Sequence, residues 1–380
     1  MDLNRATALL GGLSPAAFMQ RHWQKKPLLV RQAWPGVQPP LARPALFELA
    51  ARADVECRLV ERNPAQAWAV RDGPLPRRAL PPLSRPGWTL LVQGLDLHVP
   101  AAHEMLARFR FIPDARLDDL MVSWASDQGG VGPHIDSYDV FLLQVQGRRR
   151  WRVGKVNRPV LQADAPLKLL REFEPAHDWL LEPGDMLYLP PGWGHDGQAE
   201  GGDCMTCSIG FRAPAADSLA RELLLRLADQ AGEGAAGDTP LYRDPGQPAT
   251  TTPAQLPAAL LAFAQRALQD LLNDPQAVPR ALGEVLSEPK PNVWFEGRAH
   301  GVADGSGGVR LAAATRMVYD SRHVFINGEA FVAGGRDAQL MRKLADSRLL
   351  TQTERRRLSP GAAELLTGWV NAGWAHGEQA

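Results

Sequence analysis

The residues that could do chemistry begin with a histidine and an aspartate separated by one residue. His134 and Asp136 follow a glycine-rich segment and precede an apolar run. Side chains two positions apart in a strand point to the same face, so both can approach one point while Ile135 turns away. A third candidate ligand, His195, comes directly after an apolar segment at 185–189 and a Pro-Pro-Gly turn. We therefore predict a catalytic metal site formed by His134, Asp136 and His195.

This ligand set predicts the kind of metal and the kind of reaction. Two imidazoles and one carboxylate on one triangular face of an octahedral ion leave the opposite positions open, which suits non-heme iron(II) that must accept a co-substrate and dioxygen. Zinc or manganese could occupy the same ligands. A histidine and an aspartate at this spacing also occur by chance, so the prediction depends on the second strand and its histidine. The chemistry expected from the whole set is oxidative.

The segment at 148–153 alternates arginines with apolar residues. If it is a strand, one face carries Arg149, Trp151 and Val153, and the other carries Arg148, Arg150 and Arg152. A guanidinium that points into a barrel needs an anion, because an unpaired buried charge is costly. Its planar fork can bind a carboxylate through two hydrogen bonds. We predict that Arg149 holds the distal carboxylate of a dicarboxylate such as 2-oxoglutarate; the alternative is that all four arginines cover a solvated face.

Two further patterns concern the strands around these residues. The runs at 140–145 and 149–153 predict a hairpin that turns near Gly147. Cys204 and Cys207 lie in a predicted strand at 204–211, where their side chains would face opposite sides, so we interpret both as structural rather than as a redox or zinc pair.

Several segments resemble the JmjC-type 2-oxoglutarate oxygenases: HID, YDVFLLQ, GRRRWRVG, EPGDMLYLPPGWGH and SIGFRAP. With FMQRHWQKKPLLVR at 18–31, they more narrowly resemble the bacterial ribosomal oxygenases that hydroxylate an arginine of the sixteenth large-subunit ribosomal protein. The resemblance covers most of residues 1–214 and is weaker towards the C-terminus. It implies a mixed α and β chain with N-terminal helices and a double-stranded β-helix, the cupin-like barrel of JmjC enzymes. Within that barrel it makes His134, Asp136 and His195 the iron ligands and Arg149 the 2-oxoglutarate anchor.

The function implied by this resemblance is that of an iron(II)- and 2-oxoglutarate-dependent dioxygenase that hydroxylates C3 of an arginine in a ribosomal protein loop. Human relatives carry a lysine at the anchor position and hydroxylate histidine, so Arg149 favours the bacterial branch. Two alternatives stay open. One is a JmjC-type oxygenase acting on a histidine or lysine of another protein, and the other is a non-catalytic dimeric cupin that serves as a binding module.

Hydroxyl and acidic residues near the expected cavity are secondary candidates. Ser123, Thr206 and Ser208 lie on predicted strands that should line the barrel, and the sequence does not determine which of them binds a ligand. We assign Ser123 and Thr206 to the co-substrate, and Ser208, Asp118 and Tyr138 to the protein substrate. A carboxylate at a barrel mouth is a natural partner for a cationic side chain, although Asp118 and Asp119 could instead pair with Arg116 or cap the chain.

Composition excludes some classes of partner. The chain has 380 residues, 45% of them hydrophobic, with 42 lysines and arginines against 42 aspartates and glutamates. Zero net charge argues against direct nucleic-acid binding and against attraction to anionic membranes. No apolar run approaches the length of about 18 residues that a membrane span needs, and the N-terminus lacks a secretion signal. Three cysteines agree with a reducing compartment, so we expect a soluble cytoplasmic protein.

The length predicts more than one domain. We expect a JmjC/cupin catalytic domain at 1–214, a helical region with a flexible linker at 215–288, and a winged-helix-like domain at 289–380. The helix predicted at 258–272 is more hydrophobic than an exposed helix requires, which favours dimerisation there, and the family resemblance also implies a homodimer. In the last domain a hairpin is expected around Asn327-Gly328. Because acidic residues interrupt the basic ones there, we interpret this domain as structural or protein-binding rather than DNA-binding.

Overall fold

The chain folds into two compact units, Met1–Ala213 and Pro214–Ala380. The structure is a computed structural model that describes residues 2–63, 68–232, 240–297 and 307–377. The boundary between the units lies one residue before the end predicted for the catalytic domain. The subdivision at 288/289 stays a prediction, because the second unit forms one cluster of contacts.

The first unit combines short helices with a large antiparallel sheet. Its helices are α1 (Pro15–Arg21), α2 (Arg43–Leu49) and α3 (Pro100–Ala107), with 3-10 turns at Ala8–Leu10, Arg77–Ala79 and Leu95–Leu97. Its strands are β1 (Leu28–Val30), β2 (Cys57–Arg62), β3 (Trp68–Asp72), β4 (Trp88–Val92), β5 (Leu117–Ala125), β6 (His134–Ile135), β7 (Val140–Lys155), β8 (His177–Leu181), β9 (Met186–Leu189) and β10 (Trp193–Phe211). Local chemistry sets the helix starts: Ser14 accepts a hydrogen bond from the Ala17 N–H, and Pro15 takes the first helical position.

The sheet follows the order β1-β9-β7-β10-β5-β4-β2-β3, with β6 added to β10 and β8 added to β7. This arrangement confirms the expected cupin-type double-stranded β-helix in a mixed α and β chain. The two long strands β7 and β10 pair with each other along most of their lengths and carry the candidate site between them.

The two faces of these strands pack against different cores. One face lines the inside of the barrel with an apolar cluster of Val140, Leu142, Trp151, Val153, Leu181, Leu187 and Leu189. The other face joins the large core beneath the N-terminal helices, where Phe18, Phe141 and Tyr188 meet. Cys204 belongs to a small buried cluster with Ala125 and Ala199, whereas Cys207 belongs to the large core. The two sulfurs therefore face opposite sides, as the strand alternation predicted.

The predicted hairpin near Gly147 is wrong, because β7 runs without interruption from Val140 to Lys155. Both halves of β7 pair with the same partner, β10, so the chain passes Gly147 instead of reversing there. Gly147 has φ +64° and lies against the backbone of Asp203, where the ladder changes register. The glycine therefore serves a bulge and not a turn.

The second unit contains helices and two small sheets. Its helices are α4 (Ala216–Gly232), α5 (Ala258–Asn273), α6 (Ala277–Ser287), α7 (Gly335–Ser347), α8 (Gln352–Arg355) and α9 (Pro360–Asn371). Its strands are β11 (Val309–Leu311), β12 (Met317–Tyr319), β13 (His323–Ile326), β14 (Glu329–Val332), β15 (Leu349–Leu350) and β16 (Ala375–Gly377). The turn between β13 and β14 is formed by Asn327 and Gly328, both with positive φ, which confirms the hairpin predicted there.

The predicted linker lies between α4 and α5. Residues 240–257 contain no helix or strand, and residues 233–239 of the predicted linker lie outside the described residues.

Across the described ranges, none of the helices combines the length and hydrophobicity that crossing a bilayer requires.

Candidate metal centre

The short strand β6 brings the first histidine opposite the last one. His134 on β6 and His195 on β10 are paired in register, so their side chains project from the same face of the sheet. The centroids of the two imidazole rings are 4.2 Å apart. Asp136 follows β6 and keeps the parity of His134. Its backbone carbonyl accepts a hydrogen bond from the Gly192 N–H at 3.4 Å, which ties this loop to the turn before β10.

These three side chains form a compact donor set. One ligand atom from each of His134, Asp136 and His195 lies within 4.8 Å of the other two. The Nε2 atom of His134 is 3.9 Å from Oδ1 of Asp136, and the Nε2 atom of His195 is 3.5 Å from Oδ2. The three residues that the sequence singled out from distant positions therefore converge on one point.

Backbone carbonyls orient both imidazoles. Nδ1 of His134 lies 2.9 Å from the carbonyl oxygen of Gly132, and Nδ1 of His195 lies 3.1 Å from that of Trp193. A carbonyl oxygen can only accept, so each Nδ1 carries a proton and each Nε2 is left as the ring atom that faces the Asp136 carboxylate. This second layer of hydrogen bonds is the arrangement that metal-binding histidines use.

The electrostatics of the cluster keep it ready for a cation. Burial, with the charge of His195 adding to it, lowers the pKa of His134 to about 4, so its imidazole is neutral near pH 7. Burial tends to raise the pKa of Asp136, but the hydrogen bond with His195 and the positive charge that each imidazole carries when it is protonated outweigh burial and hold that pKa below its usual value. A neutral donor beside an ionised carboxylate suits a dication.

Arg149 lies on the same inner face as the triad. Arg149 is paired with Ala199 and Val153 with His195, so the face that carries His195 on β10 also carries Arg149 on β7. Its side chain is only 3% exposed, and its Nε and Nη2 atoms are buried without a hydrogen-bond partner. A cation in that state requires an anionic ligand.

The arginines of the outer face are placed differently. Arg150 pairs with Glu200 at 2.6 Å and with Asp178 at 3.0 Å, and Arg152 lies 3.5 Å from Asp196. Arg148 is exposed. The alternation read from the sequence therefore separates one inward guanidinium from three outward ones.

Trp151 lies between Arg149 and the triad. Its ring centroid is 5.8 Å from that of His195 and 5.8 Å from the Cζ atom of Arg149. The sequence showed its parity but gave it no role. The indole, 5% exposed, forms part of the wall that links the two ends of the site.

The predicted hydroxyl residues all lie inside the barrel. Thr206 is paired with Ser123 on β5 and with Gln144 on β7, and Ser208 with Leu142 of the inner apolar cluster. All three hydroxyl residues are buried, and the Thr206 hydroxyl donates to Oε1 of Gln144 at 2.8 Å. Gln144 was missed, although a glutamine of inward parity within an apolar run is a signal that could have identified it.

The residues assigned to the substrate lie near the metal ligands to different degrees. Tyr138 is 39% exposed and its hydroxyl is hydrogen-bonded to the carboxylate of Asp136. Burial and the charges of Asp136, Asp119 and Asp118 raise the pKa of Tyr138. The carboxylate of Asp118 lies 3.6 Å from Nε of Arg212 and is partly exposed, whereas that of the buried Asp119 accepts a hydrogen bond from the Gly94 N–H at 2.8 Å.

A buried network holds the end of the loop that carries Asp136. Asp139 is fully buried and accepts hydrogen bonds from the Tyr188 hydroxyl at 2.6 Å and from the Gln24 amide at 3.1 Å. These contacts connect the loop to β9 and to the segment after α1. Asp139 therefore anchors the C-terminal end of the loop that carries Asp136.

Comparisons with known proteins agree with this geometry. Residues 104–219 match the family model described as JmjC domain. The chain is 37% identical over 275 residues to the ribosomal protein uL16 3-hydroxylase of Escherichia coli, covering 72% of this chain and 71% of that protein. An X-ray structure of Escherichia coli YcfD superposes with a TM-score of 0.84 at 30% identity, covering 96% of this chain and 98% of that one. A structure described as the ribosomal oxygenase YcfD in complex with cobalt and 2-oxoglutarate gives a TM-score of 0.80 at 30% identity over 99% of both chains.

Proposed function

The chain belongs to the family of JmjC-domain ribosomal oxygenases, and from that premise we propose that it is an iron(II)- and 2-oxoglutarate-dependent protein hydroxylase. Its substrate is a large-subunit ribosomal protein, and the hydroxylated atom is C3 of an arginine. The observation that carries the proposal is the convergence of His134, Asp136 and His195 on the same inner face as the buried, unpaired Arg149.

The donor set fits an iron(II) ion. Two Nε2 lone pairs and one carboxylate converge from one side, and the hydrogen bonds to Gly132 and Trp193 fix both rings in the orientation that a metal requires. We assign His134, Asp136 and His195 as the three ligands. When bound, iron and 2-oxoglutarate supply the oxidation, in which one oxygen atom of dioxygen enters the substrate and the other enters the succinate formed by decarboxylation.

The chain's own residues bind and position the reactants. Arg149 would hold the distal carboxylate of 2-oxoglutarate through two charge-assisted hydrogen bonds. Ser123 and Thr206, both inside the barrel, are further candidates for polar contacts to the same ligand. The inner apolar cluster, in which Leu181 is paired with Arg149, excludes water from this end of the cavity.

The substrate end of the site carries acidic and hydroxyl groups. Asp118 is partly exposed and suits the guanidinium of an arginine substrate, since a carboxylate can pair with it through two hydrogen bonds. Tyr138 and Ser208 complete our assignment of substrate contacts. Tyr138 is partly exposed and interacts with the metal ligand Asp136, so it would lie beside the side chain that is hydroxylated.

The proposal is tested by incubating the purified chain with a uL16-type ribosomal protein, iron(II), ascorbate and 2-oxoglutarate, followed by mass spectrometry. We expect a gain of one oxygen atom on one arginine, no gain with Asp136→Asn, and carbon dioxide release that depends on the ribosomal protein. Oxygen on a histidine or lysine of another protein would instead support the alternative substrate class. Metal binding without any carbon dioxide release would support a non-catalytic cupin.

The exposed leucines of α5 favour a homodimer. Residues on α5 pack weakly against their own unit, and Leu261, Leu268 and Leu272 form an exposed apolar stripe. A second copy of the chain would cover this stripe. We also place the reaction in the cytoplasm, where ribosomal proteins are made, and propose no direct contact with nucleic acid because the net charge is zero.

A further inference from the structure

The inner wall of the barrel holds a second buried hydrogen-bond donor that the proposed function does not use. Nε1 of Trp151 is buried and has no hydrogen-bond partner, as is also true of Nε and Nη2 of Arg149, two residues earlier on the same strand face. Buried donors in folded proteins are almost always paired, so an unpaired one marks a missing partner. Unpaired donors on two neighbouring side chains of one strand face indicate a single missing partner that both would bind.

The fold contains a specific place for the indole. A Cβ atom built on Gly197 would lie 2.5 to 2.8 Å from Cζ3, Cη2 and Cε3 of Trp151, so the benzo edge of the ring sits on the bare backbone of β10. These three atoms lie on the side of the ring away from Nε1. The N–H group therefore lies on the edge of the ring that does not rest on Gly197, and the glycine leaves room for the ring in this position.

The position of the ring matches a ligand that spans the site. The Trp151 centroid is 5.8 Å from the His195 ring and 5.8 Å from Cζ of Arg149. A dicarboxylate with one end at the triad and the other at Arg149 passes along this ring. A carboxylate offers about four lone-pair positions, and a single guanidinium fork uses two of them.

We infer that the indole N–H of Trp151 is a second donor to the distal carboxylate of the co-substrate, acting beside Arg149. This inference rests on the proposed function, because it takes 2-oxoglutarate to be the ligand. The ring of Trp151 then lines the cavity, and its N–H group binds the distal carboxylate of the ligand. A ligand without the distal carboxylate has nothing for the N–H to bind.

The first test compares two ligands on the zinc-loaded protein, which binds but does not turn over. Dissociation constants are measured by calorimetry for 2-oxoglutarate and for pyruvate, which lacks the distal carboxylate. Trp151→Phe keeps the ring and removes the N–H, so we expect its affinity for 2-oxoglutarate to fall roughly tenfold or more while its affinity for pyruvate stays unchanged. Trp34→Phe, which removes the indole N–H of a side chain that packs against the large core and not against the inner cluster, is the matched control and should bind both ligands as the wild type does.

The outcomes separate this inference from the proposal beneath it. If the wild type binds 2-oxoglutarate no better than pyruvate, the proposed function fails and this inference fails with it. If the wild type prefers 2-oxoglutarate and Trp151→Phe keeps the full preference, or loses the same factor for both ligands, only the inference is overturned.

A second measurement follows the indole N–H of the wild-type protein and uses variants only to assign its resonance. In proton-nitrogen correlation spectra of the zinc-loaded wild type, the Trp151 indole resonance is assigned by its absence in Trp151→Phe or Trp151→Tyr. We expect this resonance to move downfield on addition of 2-oxoglutarate but not of pyruvate. An unmoved resonance at saturating 2-oxoglutarate would contradict a hydrogen bond from this group.

Discussion

At the scale of single residues, Arg149 shows that this site favours binding over stability. Its guanidinium is buried with two nitrogen atoms unpaired, although Arg150, the next residue in the chain, has two carboxylate partners. A buried charge without a partner destabilises a fold, and replacing it with an apolar side chain of similar size is often neutral or stabilising. Binding of an anionic ligand therefore explains why an arginine occupies position 149.

Replacing Arg149 with methionine should separate stability from ligand binding. We expect Arg149→Met without ligand to be at least as stable as the wild type, because methionine fills the space without a charge. The wild type with manganese and 2-oxoglutarate at about a hundred times its dissociation constant should gain about 2.7 kcal/mol, and the variant should lose most of this gain. Thermal unfolding with and without 2-oxoglutarate measures both effects.

Arg150→Met is the control for that experiment. It removes an outward guanidinium from the same strand, so the stabilisation by 2-oxoglutarate should survive. An equal loss in both variants would remove the argument from strand parity.

Two aspartates near the site should respond differently to the same change. Asp136→Asn keeps the shape of a metal ligand but removes its charge, and even residues behind metal ligands change affinity by roughly 10- to 100-fold. We expect its affinity for cobalt(II), measured by calorimetry, to fall by about a hundredfold or more. Asp118→Asn should bind cobalt(II) normally, because its carboxylate lies near Arg212 and outside the triad. It should raise the KM for the ribosomal protein, because we assign this carboxylate to the guanidinium of the substrate. Normal cobalt(II) binding by Asp136→Asn would contradict the assignment of Asp136 as a metal ligand.

At the scale of elements, β7 positions the anchor by running past Gly147 without turning. Gly147 has φ +64°, and a Cβ there would lie 3.0 Å from the Asp203 carbonyl oxygen and from the Cys204 Cα. Gly201 has φ +85° with nothing within 4 Å. The first glycine is therefore required by conformation and by space, and the second by conformation alone.

This difference predicts the cost of adding a methyl group at each position. Gly201→Ala should lower the free energy of unfolding by about 1 kcal/mol, which is the strain of a left-handed alanine. Gly147→Ala should lower it by roughly 1 to 3 kcal/mol more, because backbone atoms must also move. Denaturant unfolding of the two variants measures the difference. Equal losses of unfolding free energy would show that the backbone of β7 and β10 can shift at no cost to accommodate the methyl group.

Helix α5 presents the other element whose role can be tested. Leu261→Glu and Leu268→Glu together place two charges on its exposed apolar stripe, so we expect the dimer to dissociate at micromolar concentration. Light scattering coupled to size exclusion gives the mass directly. Ala259→Glu adds a charge on another side of the same helix and should leave the mass unchanged. A wild type that is monomeric at these concentrations would overturn the proposal of a homodimer.

Sequence alone could predict the parts of this site that depend on local alternation. The parity of His134 with Asp136, and of Arg149 against Arg148 and Arg150, follows from the two-residue repeat of a strand. The course of the chain at Gly147 could not be predicted, because a glycine between two apolar runs looks the same whether the runs pair with each other or with a distant strand. The unpaired N–H of Trp151 was also out of reach, since it depends on Gly197 in another strand.

At the scale of the whole molecule, all the residues assigned to catalysis lie in the first unit, Met1–Ala213. That unit contains its own large core, in which the N-terminal helices cover the outer face of the sheet. The second unit has separate cores around α6 and around β11 to α9. This separation of cores predicts independent folding.

A fragment of residues 1–213 should therefore unfold cooperatively and bind one cobalt(II) ion per chain with the affinity of the whole protein. It lacks α5 and should be monomeric. Circular dichroism, calorimetry and light scattering check the three expectations. A fragment that aggregates or fails to bind cobalt(II) would show that the barrel depends on the second unit.

The shortness of β6 has a consequence for how the enzyme would respond to iron supply. Two residues, His134 and Ile135, make the only β6 pairings described for this segment, and both pairings are with β10. A bound ion is held by His134 and Asp136 from one side and by His195 on β10 from the other. The ion therefore joins the β6 segment to β10. Loss of iron would then remove the reactive ion and, at the same time, loosen the segment that carries two of its three ligands.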